Sequence, residues 1–243
     1  YYAKKIQATI LPPKRLVDAY LNDSFVLFLP KDIVAGDFYW VEKINEKIYL
    51  AVCDCTGHGV PGALVSLVCS KAMEKAILEF NEVTPGKIFD ITRRLVIESL
   101  DKSEQDIQDG MDASLAVWDP KQQLLQWSGA NNPLWIYRFS HNTIEEVKPD
   151  KQPIGKNPIQ TSFTTHEIKL EKGDVVYLFS DGYADQFGGN DNKKLTKKRF
   201  KELLSGISKL PMQLQHEQLL AFHQTYKGSN DQIDDICIIG MRV

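Results

Sequence analysis

The sequence predicts an α+β fold built from antiparallel sheets. Short apolar runs bounded by turn residues come in groups, and the groups are interrupted by helical patterns in tandem pairs rather than by strict strand-helix alternation. With 243 residues, 43% hydrophobic and 25% charged, the chain can bury one large core, so a single domain is expected.

The chain opens with YYAKKIQATILPP, where Tyr2, Ile6 and Ile10 stand four residues apart as one apolar helical stripe ended by Pro12 and Pro13. Over residues 1–13 this predicts a short helix. It is either packed on the domain or a connector to a sensor or oligomerisation domain upstream, and a chain starting at Tyr1 without methionine is expected to be cut from something longer.

Strands follow at 25–29, 37–41 and 47–54, the last two joined across a polar turn at Asn45 and Glu46. Pro61 then opens a helix whose stripe is Leu64, Val65, Val68, Ala72, Met73, Ala76, Ile77 and Phe80. A second helix starts at Thr84-Pro85, with Ile88, Phe89, Leu95, Val96 and Leu100 on its buried face. Strands resume at 112–118, 124–128, 134–139, 143–147, 165–170 and 174–180, between turn signals such as Asp119-Pro120 and Lys172-Gly173. Helices at 196–205 and 212–226 and a last strand, ICIIGMRV, complete the chain.

A net charge of -3 offers no basic surplus for nucleic acid. No apolar run approaches the roughly 20 residues that span a bilayer, and no signal peptide opens the chain. Four cysteines are sparse for a disulfide framework and suit a reducing cytoplasm. Cys53-x-Cys55 has no second Cys/His pair at a zinc spacing and is read as core packing.

The chemistry-bearing feature is a set of aspartates at strand ends. Alternation in KIYLAVCD puts Ile48, Leu50, Val52 and Asp54 on one face, and in VVYLFSD it aligns Val175, Tyr177, Phe179 and Asp181. Asp37 begins a strand after Gly36, while Asp234 and Asp235 lead the last one. Taken singly, such residues are turn formers and helix caps. If the strands are neighbours, the four carboxylates of Asp37, Asp54, Asp181 and Asp234 meet and require a hard cation, Mg²⁺ or Mn²⁺, able to acidify a water for attack on phosphorus.

Gly36-Asp37-Phe38-Tyr39, the run from Asp54 through Cys55, Thr56, Gly57, His58, Gly59, Val60, Pro61 and Gly62 to Ala63, Ser180-Asp181-Gly182 and Asp234-Asp235-Ile236 occur in an informative order. In that order and spacing they resemble the metal-dependent, PPM-type protein serine/threonine phosphatases of type 2C, in the bacterial branch typified by stage II sporulation protein E. Asp109-Gly110-Met111, Gly129-Ala130-Asn131-Asn132-Pro133, Pro153-Ile154-Gly155 and Lys172-Gly173-Asp174 agree with it, so the resemblance runs from about Leu11 to Val243.

The resemblance implies a four-layer αββα sandwich, two antiparallel sheets flanked by helix pairs, with residues 14–243 as the PPM-type phosphatase domain. It implies two Mn²⁺ or Mg²⁺ ions that activate a water. Asp54 would bridge them, with Asp37 and the backbone carbonyl of Cys55 on one ion and Asp181 and Asp234 on the other; Asp54 and Asp37 are therefore also the catalytic pair. Asp109 matches a ligand of a third, loosely held metal, or else only a turn; Asp112 is a nearby carboxylate without a family counterpart, and Asp235 supports the others.

His58 invites a general-acid role but stands four residues after Asp54 rather than two, and is read as shaping its loop. No arginine occupies the family's phosphate-binding context; Lys14 or Arg15 is the candidate. The run Lys193, Lys194, Lys197, Lys198, Arg199 and Lys201 is either a solvated helix face or a surface for an acidic phosphoprotein.

The expected activity is hydrolysis of phosphoserine or phosphothreonine in a bacterial signalling protein, for instance a STAS-domain anti-sigma-factor antagonist. The alternatives are a non-catalytic binding module of the same fold and a small phosphate-ester hydrolase. A cytoplasmic location is expected, free-standing or as part of a larger membrane-anchored protein, with homodimerisation through the N-terminal helix.

Overall fold

Asn45 and Glu46 both adopt positive φ, 49° and 68°, the backbone of a two-residue hairpin turn whose twist matches that of the strands it joins. That turn links β2 (Phe38–Ile44) to β3 (Lys47–Cys55), which pair in register from Phe38↔Cys53 to Ile44↔Lys47. The computed structural model describes residues 2–79, 84–101 and 108–243.

The hairpin forms one edge of one of two large antiparallel sheets. Its order is β2-β3-β4-β5-β9, with β4 at Gly110–Asp119, β5 at Leu124–Ala130 and β9 at His166–Lys169, while the two-residue β8 (Ile154–Gly155) pairs with the start of β4. The second sheet runs β1-β13-β10-β6-β7, from Ser24–Leu29, Ile236–Arg242, Val175–Phe179, Leu134–Arg138 and Thr143–Val147.

Three apolar layers follow from alternation. Leu50 and Val52 of β3, Ala116 and Trp118 of β4, Val176 and Leu178 of β10 and Cys237 and Ile239 of β13 fill the seam between the sheets. The opposite faces are also buried. Tyr49, Ala51 and Cys53 pack beneath α3 (Gly59–Leu78) and α4 (Pro85–Leu100). Tyr177, Phe179 and Ile238 pack beneath α6 (Thr196–Ile207) and α7 (Met212–Lys227). The result is the expected αββα sandwich with a helix pair on each outside. All four cysteines are free and buried, and Cys53 and Cys55 belong to the helix-side core.

Several local expectations are corrected. Helix α1 (Tyr2–Gln7) exposes Tyr2 (78%) and Ile6 (42%) and buries Gln7 instead, so only Ile10 of the proposed stripe reaches the core. A helix not read from the sequence, α2 (Lys14–Tyr20), follows Pro12-Pro13 and buries Val17. Helix α3 starts two residues before Pro61 and turns Leu64 outward; the expected Ala72, Met73, Ala76 and Ile77 are buried, and Gly62, Ala63, Ser66 and Cys69 complete its buried face. Phe80 lies outside the described residues. A four-residue α5 (Gly182–Asp185) and a small hairpin of β11 (Phe187–Gly188) and β12 (Lys193–Lys194) were also unpredicted.

The Lys172-Gly173-Asp174 turn has a structural task. Asp174, 1% exposed, accepts from Phe139 N (2.9 Å), Glu171 N (3.1 Å) and Arg138 Nη1 (2.9 Å). Asp174→Ala takes the acceptor from two backbone N–H groups and one of the partners from Arg138, which keeps Glu145 and the Lys169 carbonyl, so a loss of about 2 kcal/mol is expected by denaturant unfolding. Activity of the folded fraction should be unchanged; a loss below about 1 kcal/mol would contradict the assignment.

Candidate metal centre

Asp54 is the penultimate residue of β3 and continues the row of Leu50 and Val52 that faces the seam. Its partner across the ladder is Asp112 of β4, so two carboxylates stand side by side on one face. Asp181 arrives differently. Counting from Val175 aligned it with Tyr177 and Phe179, but those face the helix layer; β10 ends at Phe179, and Asp181, at φ -79° and ψ -19°, is already the N-cap of α5. The bend at the strand end, not the strand alternation, brings it to the seam.

Asp54, Asp112, Asp181 and Asp234 line a single cleft of about 340 Å³, together with Cys55, Thr56, Gly57, His58, Gln108, Gly110, Met111, Pro153, Gly155 and Lys156. Asp37 lies beneath it, 2% exposed, and its Oδ2 is buried with no hydrogen-bond partner. Asp109 is not among the lining residues, although Gln108 and Gly110 on either side are.

The electrostatics record the crowding. Burial pushes Asp37 well above the usual carboxylate range, and Asp54 adds to it, while Ser180 opposes. Asp54 is likewise pushed well up by burial and then by Asp181, Asp234 and Asp112. Asp181 is pushed up to about 6 by burial, Asp185 and Asp234, against the pull of Lys197. Burial also raises Asp112, whose Oδ1 accepts from Asn131 Nδ2 at 2.8 Å.

Such a set is costly without positive charge between its members. An oxygen-only donor set with one buried orphan oxygen fits a hard divalent cation. Among the described residues no three acidic, histidine or cysteine side chains are gathered closely enough to hold a metal ion by themselves. Mg²⁺ and Mn²⁺ need only one or two carboxylates and keep several waters.

The surrounding loops are held by backbone contacts. Asp235 is 2% exposed and spends both oxygens on the loop before β2: Lys31 N donates to Oδ1 and Gly36 N to Oδ2, each at 2.7 Å. Thr56 N donates to Gly110 O (3.0 Å), closing the floor of the cleft. Gly57, at φ +83°, places its carbonyl between Gly36 and Gly62, where a Cβ on either would come within 2.2 Å of it.

His58 is half exposed at the N-cap of α3 and is engaged at both ring nitrogens. Lys31 Nζ lies 3.0 Å from Nε2, and Nδ1 lies 3.0 Å from Asp32 Oδ2. Lys14 is not at the cleft: it pairs with Asp18 at 2.8 Å and lines a separate groove with Phe25 and His216. Arg15 is exposed and also absent from the lining. The cleft's own lysine is Lys156, ion-paired to Asp101 at 2.6 Å. Its only sequence signal was the preceding Pro153-Ile154-Gly155.

Most of the basic run is spent on the fold. Lys193 pairs with Asp191, Lys194 with Asp185 and Lys201 with Glu146, while Arg199 lies over the Tyr226 ring.

The family model for stage II sporulation protein E (SpoIIE) matches residues 45–243. The chain belongs to this family of PP2C-type protein phosphatase domains. The SpoIIE-type domain is 31% identical to the SiaA PP2C domain of Pseudomonas aeruginosa, with a TM-score of 0.90 over 100% of this chain and 94% of that one. It is 26% identical over 183 residues to the phosphoserine phosphatase RsbU of Bacillus subtilis, matching 75% of this chain and 52% of that protein, so it spans about half of RsbU's length. The phosphatase domain of SpoIIE from Bacillus subtilis, in a structure that includes a fragment of its regulatory domain, shares the fold at 17% identity, with a TM-score of 0.72 over 91% of this chain and 63% of that one. PPM phosphatases as a family are metal-dependent.

Proposed function

We propose that this SpoIIE-type domain hydrolyses phosphoserine or phosphothreonine on a protein, using two Mn²⁺ or Mg²⁺ ions held by Asp37, Asp54, Asp181, Asp234 and the Cys55 carbonyl. The observation that carries this is the convergence of Asp54, Asp112, Asp181 and Asp234 on one cleft with the orphan oxygen of Asp37 beneath it. Divalent ions there supply charge neutralisation of the phosphoryl oxygens and an acidified water.

The chain's own residues then have distinct tasks. Asp54, which feels Asp37, Asp181 and Asp234 together, would be the carboxylate shared by the ions. Asp112, which accepts from Asn131 and lines the cleft, would hold water against that site. Lys156 presents the cation that meets the phosphate, in place of Lys14 or Arg15. His58, committed to Lys31 and Asp32, shapes the loop rather than serving as general acid. Asp109, beside the cleft and not lining it, is at most a distant contributor through a third ion.

A protein-borne phosphate is favoured over a nucleotide because the described lining residues include no Phe, Tyr or Trp on which a base could stack. RsbU is a phosphoserine phosphatase, which points the same way and motivates a STAS-domain signalling protein as the substrate to try first. Exposed Tyr2 and Ile6 are the residues through which α1 would meet a second copy or an upstream helix. Among the described residues no helix is long and apolar enough to cross a membrane; a cytoplasmic site of action is part of this proposal.

Mn²⁺ at about 100 times its dissociation constant is expected to stabilise the domain by about 2.7 kcal/mol, or roughly 5–10 °C in Tm for a chain of this size. The same titration should switch on hydrolysis of an aryl phosphate and, faster, of a phosphoserine protein. Metal-induced stabilisation without turnover of any phosphoester would instead identify a non-catalytic binding module. Faster turnover of nucleotides or sugar phosphates than of phosphoproteins would identify a small-ester hydrolase.

A further inference from the structure

We propose that Gln7, on the N-terminal helix, is a positioning residue for Asp37; this rests on the metal-centre reading above. On a six-residue surface helix whose apolar Tyr2 and Ile6 face outward, the one buried side chain is a polar amide, 4% exposed. Burying an amide is unfavourable unless its hydrogen bonds are made.

Gln7 makes them chiefly to one distant residue, Ala35. Its Oε1 accepts from Ala35 N (3.0 Å) and its Nε2 donates to Ala35 O, also reaching Ser66 Oγ at 3.3 Å. An amide bound to both backbone groups of one residue acts as a neighbouring strand would, and holds that residue's φ and ψ.

Ala35 is itself fully buried and stands two residues before Asp37. The next residue, Gly36, donates to Asp235 Oδ2 and packs against the Gly57 and Cys55 carbonyls. The segment leading into Asp37 is thus clamped from one side by the N-terminal helix and from the other by Asp235, just ahead of the last strand. Without Gln7, the Ala35 N–H and C=O are buried and unpaired, a condition relieved by moving the loop toward water, and Asp37 moves with it. Ser66 does not depend on the clamp, because its hydroxyl already donates to Ala63 O at 2.9 Å.

The test is Mn²⁺ binding by calorimetry on the 243-residue chain, alongside aryl-phosphate kinetics. Gln7→Leu keeps the volume and removes both polar atoms. It is expected to weaken Mn²⁺ binding by about 10–100-fold, the range for residues that orient a ligand, while KM stays unchanged and kcat recovers at saturating Mn²⁺. Ser66→Ala should bind Mn²⁺ normally. Leu219→Ala, a core truncation in α7 remote from the cleft, should lower Tm and leave affinity intact.

A folded Gln7→Leu with unchanged affinity overturns the inference, as does Leu219→Ala losing affinity in step with Tm. If Gln7→Leu does not fold, Gln7→Glu, which keeps an acceptor for Ala35 N–H and loses the donor, takes its place with the same two readings. Absence of Mn²⁺ binding by the unmodified chain would overturn the metal-centre reading itself, and this inference with it.

Discussion

Asp54→Asn is expected to cut Mn²⁺-dependent phosphoester hydrolysis by about a thousandfold, the scale seen when one group stabilising a transition-state charge is removed, while leaving the metal-free domain folded. The two halves have one cause. Asp54 stands among Asp37, Asp112, Asp181 and Asp234, and without cations their negative charges oppose one another. Neutralising the central member removes repulsion, so the Tm measured in chelator should match or exceed that of the unmodified chain. With Mn²⁺ the order reverses, because asparagine binds a hard cation more weakly and the metal-induced rise in Tm shrinks. Activity within tenfold of the unmodified chain, or a chelator Tm several degrees lower, would remove Asp54 from the centre of the site.

Gly62→Ala should be a strongly damaging one-carbon change beside the site. A Cβ at residue 62 would lie 2.2 Å from Gly57 O, 2.7 Å from Gly57 C and 3.0 Å from Gly36 Cα, all backbone atoms that no rotamer change can clear. Relief requires the Gly57 loop and the segment before Asp37 to separate. Overpacking of this kind costs about 3 kcal/mol, or roughly 6–12 °C in Tm for a chain of this size, and should weaken Mn²⁺ binding through both loops. In helix α3 alanine otherwise favours helix over glycine, so an unchanged or raised Tm would show that the three-glycine contact does not govern the loop.

What was legible in the sequence depended on the range of the interaction. Strands β2 and β3 and the Asn45-Glu46 turn were readable because alternation and turn chemistry are local. The seam-facing position of Asp54 was readable for the same reason. For Asp181 the same counting went astray, because it assumed that the strand ran on through a residue where the chain has already turned into α5. The α1 stripe misled because apolar spacing says nothing about an amide that satisfies a distant backbone, and Leu64 misled because α3 packs through small residues instead. Helix α2 carried too short a pattern to stand out after two prolines.

By itself, the sequence determined the α+β class, the order of nearly all the long elements and the placement of Asp37, Asp54, Asp181 and Asp234 at the ends of strands. Its motif order was enough to indicate the phosphatase family. The tertiary structure alone decided that Asp54, Asp181 and Asp234 share a cleft while Asp37 is buried, that Asp112 stands opposite Asp54, that Lys14 lies elsewhere while Lys156 lines the site, and that Gln7 grips Ala35. The division has a physical reason. Propensity and periodicity act within a few residues, whereas ladder register, sheet-on-sheet packing and the satisfaction of buried polar groups join residues as far apart as Gly36 and Asp235, and no local pattern records those pairings.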